Sequence, residues 1–211
     1  MAKSSRPSNT IVFQGLPGAY SHLACSRAYP EMQALPAQTF EDMFAAVTEG
    51  RARYAMTPIE NSVAGRVADI HRLLPESGLF IVREYFLKVS HCLLAPEGAT
   101  LKSIRIVRSH VHALAQCRNI TRQLGLQVIV HADTAGAAKE LAEKQDPGEA
   151  AIASSLAGKI YGLKSLRSNI EDADHNTTRF VVLAKKPVRQ KRGSGPLVTS
   201  FVFRVRNVPA A

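Results

Sequence analysis

The amino-acid sequence predicts an α/β protein built of two α/β lobes with a cleft between them. Short apolar segments of strand character alternate with amphipathic helical segments, which favours α/β sheets with mainly parallel strands. A long apolar stretch, residues 79–94, can leave one sheet and enter another. Because 45% of the 211 residues are hydrophobic, the chain can form one large core or two small ones.

The first predicted lobe starts with strand 11–14, followed by a glycine-containing turn, 15–21, and a helix that ends near Tyr29. Such a turn exposes backbone N–H groups at a helix N-terminus, which suits a carboxylate, although a plain tight turn is the alternative. The other elements predicted here are helix 41–48, strand 54–57, ended by Pro58, and helix 63–74.

The second predicted lobe continues the alternation, and a late strand then returns to the first lobe. Its elements are strand 104–107, helix 109–124, strand 126–131, helix 134–144, strand 150–153 and helix 154–161. The returning strand is 180–183, an aromatic and branched run typical of a buried strand. We therefore expect the first lobe to comprise about 11–87 and 176–184, and the second about 88–175.

Polar residues follow the predicted strands of the first lobe. Glu60, Asn61 and Ser62 come after strand 54–57, and Tyr20 and Ser21 come after strand 11–14. If these strands are parallel neighbours, the residues face the same crevice, because the carboxyl ends of the strands line it. The alternative is that Asn61 or Ser62 caps the next helix, and both roles can hold at once.

A second polar cluster precedes strand 180–183 and consists of Asn176, Thr177, Thr178 and Arg179. An amide, two hydroxyls and a guanidinium at the mouth of a buried strand suit a small anionic substrate. The alternative is a loop in which Asn and Thr cap their own backbone.

Ser109 and Gln116 form the candidate pair of the second lobe. The pattern places Ser109 as an N-cap and Gln116 two turns later, nearly on the same face of the helix. Such a pair can point into a cleft, or it can be a cap and a surface amide.

The net charge of +10 predicts an anionic partner. Five of the cations lie within 185–196, a run punctuated by Pro and Gly that lacks aromatic residues. This pattern indicates a basic linker rather than a nucleic-acid patch. We also expect residues 1–10 to be a disordered tail.

Cysteine and histidine spacing predicts neither disulfides nor a metal site. Cys25, Cys92 and Cys117 are odd in number and form no CxxC pattern, and His110 and His112 diverge on a helix. The sequence has no signal-peptide pattern and no run of about 18 apolar residues, so we expect a cytoplasmic protein without membrane contact.

Five motifs occur in an order that resembles the prephenate dehydratase family over residues 11–183. They are GLPGAYS at 15–21, PIENS at 58–62, SHVHALAQC at 109–117, AIAS at 151–154 and NTTRF at 176–180. One departure is His112, where many members of the family carry Gln.

The resemblance implies two lobes like those of a type 2 periplasmic binding protein and conversion of prephenate to phenylpyruvate in L-phenylalanine biosynthesis, without a cofactor. It implies that Thr178 assists departure of the hydroxyl group and that Asn61, Ser109 and Gln116 orient the substrate. Arg179 would bind a carboxylate or brace its strand. The remaining substrate-binding candidates are Tyr20, Ser21, Glu60, Ser62, Asn176 and Thr177.

The family also implies a C-terminal ACT domain that binds phenylalanine as an effector, and a homo-oligomeric full-length protein. Residues 197–211 resemble the first strand of such a domain and the turn after it, so we expect a truncated ACT domain here. Two alternatives stay open: arogenate as the substrate, and a non-catalytic two-lobed module that binds a small carboxylate.

Overall fold

The computed structural model describes residues 9–189, 193 and 197–199, and within them the chain forms two β-sheets flanked by helices. The helices are α1 (Tyr20–Ala28), α2 (Phe40–Thr48), α3 (Ala68–Leu73), α4 (Val111–Ala115), α5 (Arg118–Gln123), α6 (Thr134–Lys144) and α7 (Ser155–Tyr161). The strands are β1 (Thr10–Gln14), β2 (Gln33–Ala37), β3 (Tyr54–Asn61), β4 (Gly65–Arg66), β5 (Phe80–Lys88), β6 (Cys92–Ala95), β7 (Ile106–Ser109), β8 (Gln127–Val130), β9 (Glu149–Ala153), β10 (Lys164–Ser168) and β11 (Thr177–Ala184).

The first sheet has the order β2-β1-β3-β11-β5, with β4 paired to β3. Strand β1 is parallel to β2 and β3, whereas β11 runs antiparallel to both β3 and β5. Buried side chains of β11 alternate between two cores: Phe180 and Val182 pack on the α1 side, and Val181 and Leu183 on the α2 side. An interior strand of this sheet, β11, thus comes from the end of the described chain.

The second sheet has the order β10-β6-β9-β7-β8. Strand β7 is parallel to β8 and β9, while β6 is antiparallel to β9 and β10. Both sheets are therefore mixed, and the expectation of mainly parallel strands is wrong. The antiparallel strands lie where the chain passes between the sheets without a crossover helix.

Two crossings join the lobes. The outward crossing, residues 89–91, connects β5 to β6 and confirms that stretch 79–94 serves both sheets. The return crossing, residues 169–176, runs beside it: the Val89 N–H donates to the Asn176 carbonyl (2.9 Å), and the Ile170 N–H donates to the His91 carbonyl (3.2 Å). The crossings form a hydrogen-bonded pair between the sheets.

Strand β3 passes through Pro58, where the sequence predicted an end. Its pairing with β11 shifts between Arg179 and Phe180, which leaves Ile59 of β3 as a bulge next to this proline. A bulge tolerates a residue without an N–H group, which explains why the strand continues to Asn61. Helix α3 consequently starts only at Ala68, after a turn and strand β4, and the predicted helix 63–74 begins too early.

The predicted helix 109–124 is two short helices. The Asp172 carboxylate of the return crossing accepts hydrogen bonds from the N–H groups of Arg118 (2.9 Å) and Asn119 (3.2 Å) and so starts α5 afresh. Ser109 ends strand β7, and the N-cap of α4 is His110. Strands β2, β4 and β10 were not predicted from the sequence, whereas α6 has the predicted bounds.

Within the described residues, none of the helices is long and apolar enough to span a bilayer. Most of the predicted tail 1–10, half of the basic linker 185–196 and most of the ACT-like segment 197–211 fall outside the described residues.

Candidate active site

A threonine and an asparagine face each other at the end of the first sheet nearest the crossings. Thr178 of β11 and Asn61 of β3 are direct partners in the ladder, which places their side chains on one face. The Asn61 Nδ2 donates to the Thr178 Oγ1 at 2.9 Å. Because the threonine oxygen accepts this bond, its own hydrogen is left to donate elsewhere.

The orientation of the Asn61 amide is fixed by the turn that follows β3. Its Oδ1 accepts hydrogen bonds from the backbone N–H groups of Val63 (3.0 Å) and Ala64 (2.8 Å). Backbone N–H groups only donate, so the Nδ2 must face the other way, toward Thr178. Asn61 therefore caps the turn after β3, not the helix expected there, while its Nδ2 faces Thr178.

The hydrogen bonds continue from Asn61 through side chains of both crossings and the second lobe. Its Nδ2 also donates to Asn176 Oδ1 (2.8 Å), and the Asn176 Nδ2 donates to Gln116 Oε1 (2.8 Å). That Oε1 lies 2.9 Å from His91 Nε2, and the other ring nitrogen, Nδ1, lies 2.6 Å from the Tyr20 hydroxyl. We call this series, from Tyr20 to Thr178, the polar chain.

Gln116 is held at the break between α4 and α5. Its backbone carbonyl accepts a hydrogen bond from the Asp172 N–H at 2.7 Å, so the return crossing fixes its position. The Gln116 Nε2 has no hydrogen-bond partner among the described residues. Among the described residues, Thr57 Oγ1 is the one fully buried side-chain polar atom without a partner. The unpartnered Gln116 Nε2 is therefore not fully buried and is accessible to solvent. Gln116 thus offers a free amide donor.

His91 is a site residue that the sequence analysis missed. It is 2% exposed, and burial lowers the pKa of its imidazole. Burial likewise raises the pKa of the Tyr20 hydroxyl well above its ordinary value. Both groups are therefore neutral at pH 7. The sequence signal that could have identified His91 is its polar side chain within the apolar stretch 79–94, at the point where this stretch passes from one sheet to the other.

Ser62 holds the approach to β11. Its Oγ donates to the His175 carbonyl (2.7 Å) and accepts from the Thr177 N–H (2.9 Å), while its own N–H donates to the Thr177 carbonyl (2.9 Å). These bonds occupy the Ser62 hydroxyl. They keep the segment that carries Asn176 and Thr178 against the end of β3.

Arg179 and Glu60 lie on the opposite face of the sheet from Thr178 and Asn61, since neighbouring side chains of a strand alternate. The Arg179 Nη1 is 3.0 Å from Glu60, and its Nε is 2.8 Å from Glu84 of β5. The hydrogen bond to Glu60 is the main cause that raises the pKa of the guanidinium, and Glu84 raises it further. Of the two roles considered for Arg179, this geometry favours bracing the strand.

Ser109 is not the exposed cap that its spacing suggested. It is fully buried at the end of β7, and its Oγ donates to the Ile152 carbonyl of β9 at 2.5 Å. The expected face shared with Gln116 is absent because the two residues do not lie on one helix.

An open cavity of about 690 Å³ lies between the lobes, and of the predicted site residues Tyr20 and Ser21 line it. The second lobe contributes residues 132–134 to its wall. The turn before α1 does not offer its first amides to a ligand here: the Gly18 N–H donates to His22 Nδ1 (3.1 Å), and the Ala19 N–H to the Leu16 carbonyl (3.0 Å).

The same turn touches the second lobe. Ser154 Oγ donates to the Gly18 carbonyl (2.5 Å), and the Tyr161 hydroxyl donates to the Pro17 carbonyl (2.8 Å). Gly18 has a φ of +92°, and a Cβ added to it would lie 2.7 Å from the Ala157 Cα. Only glycine permits this close contact between the lobes.

The polar chain supplies neutral hydrogen-bond groups rather than charges. Such groups hold and orient an anion without a strong ion pair. Among the described residues, no group of three or more His, Cys, Asp or Glu side chains could hold a metal ion. The arrangement is suited to binding a small anion and assisting the departure of an oxygen leaving group.

Comparisons with known proteins agree with this chemistry. The family model described as prephenate dehydratase matches residues 11–188. A bifunctional N-acyl-homoserine lactone acylase/prephenate dehydratase of Komagataeibacter europaeus is 50% identical over 201 residues, which are 95% of this chain and 72% of that protein.

More distant relatives have the same family name. Arogenate dehydratase/prephenate dehydratase 2, chloroplastic, of Arabidopsis thaliana is 42% identical, and the match covers 94% of this chain but 52% of the plant protein. The crystal structure of prephenate dehydratase in complex with L-Phe from Arthrobacter aurescens superposes with a TM-score of 0.78 and 29% identity, covering 86% of this chain and 63% of that one.

The chain thus spans about half the length of its plant relative and nearly two thirds of the Arthrobacter chain. The family model covers most of this chain, from β1 to beyond β11, including every member of the polar chain. On this basis the chain belongs to the prephenate dehydratase family.

Proposed function

We propose that this chain is a hydro-lyase that converts prephenate to phenylpyruvate, a step of L-phenylalanine biosynthesis. The observation that carries the proposal is the Thr178–Asn61 pair at 2.9 Å, at one end of a continuous chain of neutral polar side chains. The family match supports the substrate, and the polar chain supplies the groups that the reaction requires.

The reaction breaks two bonds that join the ring to its substituents. The bond to the ring carboxylate breaks with release of CO2, its electron pair moves through the ring, and the opposite carbon–oxygen bond breaks as hydroxide leaves. The hydroxide takes a proton from solvent and becomes water. Because aromatisation drives the reaction, the protein has to orient the substrate and stabilise the leaving oxygen.

Thr178 is the group that assists the leaving hydroxyl in this proposal. A threonine hydroxyl is a weak acid at pH 7, so a positioned hydrogen bond is its feasible contribution. The bond from Asn61 occupies the threonine oxygen as acceptor and leaves its hydrogen free for the substrate. Asn61 is therefore proposed to orient Thr178 as well as the substrate.

Neutral donors also suit the carboxylate that departs. A strong ion pair would stabilise the ring carboxylate before CO2 leaves and would raise the barrier. The accessible Gln116 amide is proposed to bind the substrate without this penalty. Asn176 holds Gln116 in place (2.8 Å), while Tyr20 and Ser21 form the wall of the adjoining cavity.

The other predicted residues receive supporting roles. Ser62 and Thr177 hold the segment before β11, and Glu60 and Arg179 brace β11 from the opposite face. Ser109 is proposed to fix the end of β7 beside α4 through its bond to Ile152, rather than to contact the substrate in this conformation.

Arogenate is the alternative substrate, and the plant relatives have both names. Only the side-chain amino group separates arogenate from prephenate, so competition between the two substrates discriminates them. The non-catalytic module is distinguished by binding of prephenate without turnover. We do not propose acylase activity, which the name of the Komagataeibacter relative includes, for this chain. Among the described residues, no hydrogen bond joins a Ser, Thr or Cys side chain to a histidine ring.

We further propose that residues 11–184 are the catalytic unit, 185–196 a linker and 197–211 the beginning of an ACT domain. The relative of known structure was solved in complex with L-Phe, which supports phenylalanine as an effector of the whole protein. A homo-oligomeric full-length protein and a cytoplasmic location remain predictions.

The test is phenylpyruvate absorbance after incubation of the purified protein with prephenate, beside Thr178→Ala and Thr178→Ser. We expect Thr178→Ala to lower kcat by about 100-fold or more with little change in KM, because it removes a donor to the developing charge. Thr178→Ser keeps the hydroxyl and should retain most of the turnover. Near-normal turnover in Thr178→Ala would refute the role of Thr178, and an inactive wild type that still binds prephenate would refute the dehydratase.

A further inference from the structure

His91 lies at the centre of the polar chain, and the proposed mechanism has so far given it no task. Its ring is held between Tyr20 (2.6 Å) and Gln116 (2.9 Å). Its backbone is also anchored: its N–H donates to Glu171 Oε2 (2.8 Å), and its carbonyl accepts from Ile170 (3.2 Å). The ring therefore has a defined place and a partner on each nitrogen.

The hydrogen positions of the polar chain follow from its far end. Two backbone N–H groups occupy Asn61 Oδ1, so Asn61 Nδ2 donates to Asn176 Oδ1. The Asn176 Nδ2 must then donate to Gln116 Oε1, and an oxygen at this position can only accept from His91 Nε2. The neutral imidazole consequently has its proton on Nε2. Its Nδ1, at 2.6 Å, then accepts the single hydrogen of the Tyr20 hydroxyl in preference to the more distant Ser90 carbonyl at 3.1 Å.

This arrangement determines which end of the Gln116 amide is left free. With two donors on Oε1, the NH2 group is accessible and unpaired among the described residues. If the amide were reversed, its NH2 would face the Asn176 NH2 and the His91 N–H, and its oxygen would face the anionic substrate. Both changes are unfavourable.

We propose that His91 is a positioning residue that, as the neutral Nε2–H tautomer, locks the Gln116 amide with its NH2 toward the substrate. Tyr20 completes the lock by donating to Nδ1. The inference rests on the proposed function of the cleft, because it assigns Gln116 a substrate. The lowered pKa of the buried imidazole is consistent with the neutral ring.

Two substitutions of His91 distinguish the contribution of its Nε2 from that of its Nδ1. In His91→Gln the amide NH2 lies near the position of Nε2 and can still donate to Gln116. In His91→Asn the shorter amide lies near Nδ1, so the contact with Tyr20 can persist while the donor to Gln116 is lost. Both variants remove the buried ring and should destabilise the fold similarly.

We expect kcat for prephenate to fall about tenfold in His91→Asn, the effect of losing one hydrogen bond, and by no more than about threefold in His91→Gln. KM should change less than kcat in both. Thr121→Val is the control, because it removes a buried hydroxyl whose bond to the Arg118 carbonyl (3.0 Å) lies outside the polar chain. Its kinetics should match the wild type.

Long-range 1H–15N NMR of the histidine rings adds a readout that does not depend on turnover. We expect the His91 signals of the wild type to show a proton on Nε2 and an unprotonated Nδ1. A proton on Nδ1, or equal kcat values in His91→Gln and His91→Asn beside an active wild type, would overturn the inference. An inactive wild type with the expected tautomer would instead overturn the proposed function and, with it, the role of His91 in turnover.

Discussion

At the scale of single residues, the site depends on how each polar atom is satisfied. Asn61 uses its oxygen for two backbone N–H groups and its nitrogen for side chains, so one amide ends a turn and orients Thr178. Another polar residue of the same strand is less well satisfied. Thr57 is fully buried, and its Oγ1 has no hydrogen-bond partner among the described residues. Strand β3 thus carries both a fully used and an unused polar side chain.

Thr57→Val should raise the free energy of unfolding by about 1 kcal/mol. Valine has nearly the same shape and removes a hydroxyl that was buried without a partner. Denaturant unfolding monitored by circular dichroism measures the change. The matched control is Thr121→Val, which removes a hydroxyl that does have a partner and should not be stabilising. A lower stability of Thr57→Val would mean that the hydroxyl has a favourable contact.

At the scale of elements, charged groups hold neighbouring strands together away from the site. Arg179 joins β11 to β3 through Glu60 and to β5 through Glu84. In the second lobe, Glu149 at the start of β9 pairs with Arg108 of β7 (2.8 Å) and with Lys144 of α6. The Arg179 contacts and the Arg108–Glu149 pair join strands that are distant in sequence, whereas Lys144 and Glu149 belong to consecutive elements.

Arg179→Gln should lower the free energy of unfolding by about 1–2 kcal/mol, because two neighbouring carboxylates lose their shared cation. If Arg179 is a brace, KM for prephenate should stay within about threefold of the wild type. The control is Arg51→Gln, which breaks an exposed pair with Glu49 and should change stability by less than about 0.5 kcal/mol. A KM increase above about tenfold at unchanged stability would make Arg179 a substrate ligand instead.

Glu149 should make the stability of the fold pH-dependent in acid. The hydrogen bond from Arg108 is the main cause that lowers the pKa of Glu149 from 4.5 to about 2. A carboxylate with a lowered pKa in the folded state stabilises the protein above pH 4.5 and loses this contribution as the pH falls toward 2.

Glu149→Gln should therefore be less stable than the wild type by about 2 kcal/mol at pH 7, and the difference should shrink between pH 4.5 and 2. Urea unfolding over this pH range is the measurement. The control is Glu143→Gln, since this exposed carboxylate pairs with Lys139 at 3.9 Å on the surface of α6. A difference that does not vary with pH would show that Glu149 acts through packing.

Local sequence pattern predicted most of the elements but not their interruptions. Helix α6 has the predicted bounds because its N-cap Asp133 is next to it in sequence. The break between α4 and α5 depends on Asp172, more than fifty residues away, and the passage of β3 through Pro58 depends on a bulge against β11. No window of neighbouring residues contains either cause.

The site shows the same division. Thr178, Asn61, Asn176, Gln116 and Tyr20 were predicted because they stand beside strand ends or in recognisable motifs, and the structure joins them in one chain. His91 lies in the apolar stretch 79–94, where no regular spacing of polar residues marks it, and it was not predicted. The predicted pairing of Ser109 with Gln116 assumed a continuous helix and is wrong.

At the scale of the whole molecule, two contacts between the lobes bear on the candidate site. One is the pair of crossings that contains His91 and Asn176, and the other is the contact of the turn at Gly18 with Ser154 and Ala157. The turn leads directly into Tyr20, so the packing of the lobes and the position of one end of the polar chain are linked.

Gly18→Ala should destabilise the protein by about 3 kcal/mol, since it adds overpacking against Ala157 to the cost of a positive φ. Gly50→Ala is the matched control: its φ is +81°, but a Cβ there meets nothing within 4 Å, so it should cost about 1 kcal/mol. Thermal unfolding compares the two. Equal losses would show that the turn at Gly18 moves away from Ala157 without cost.

The position of β11 in the first sheet has a consequence for synthesis on the ribosome. Every strand of the second sheet precedes β11 in the chain, whereas β5 reaches the rest of the first sheet only through β11. The second lobe can therefore complete its sheet while the first is still an open half-sheet. Thr178 arrives with the strand that closes the first lobe, so a nascent chain has no assembled candidate site until β11 has emerged and inserted.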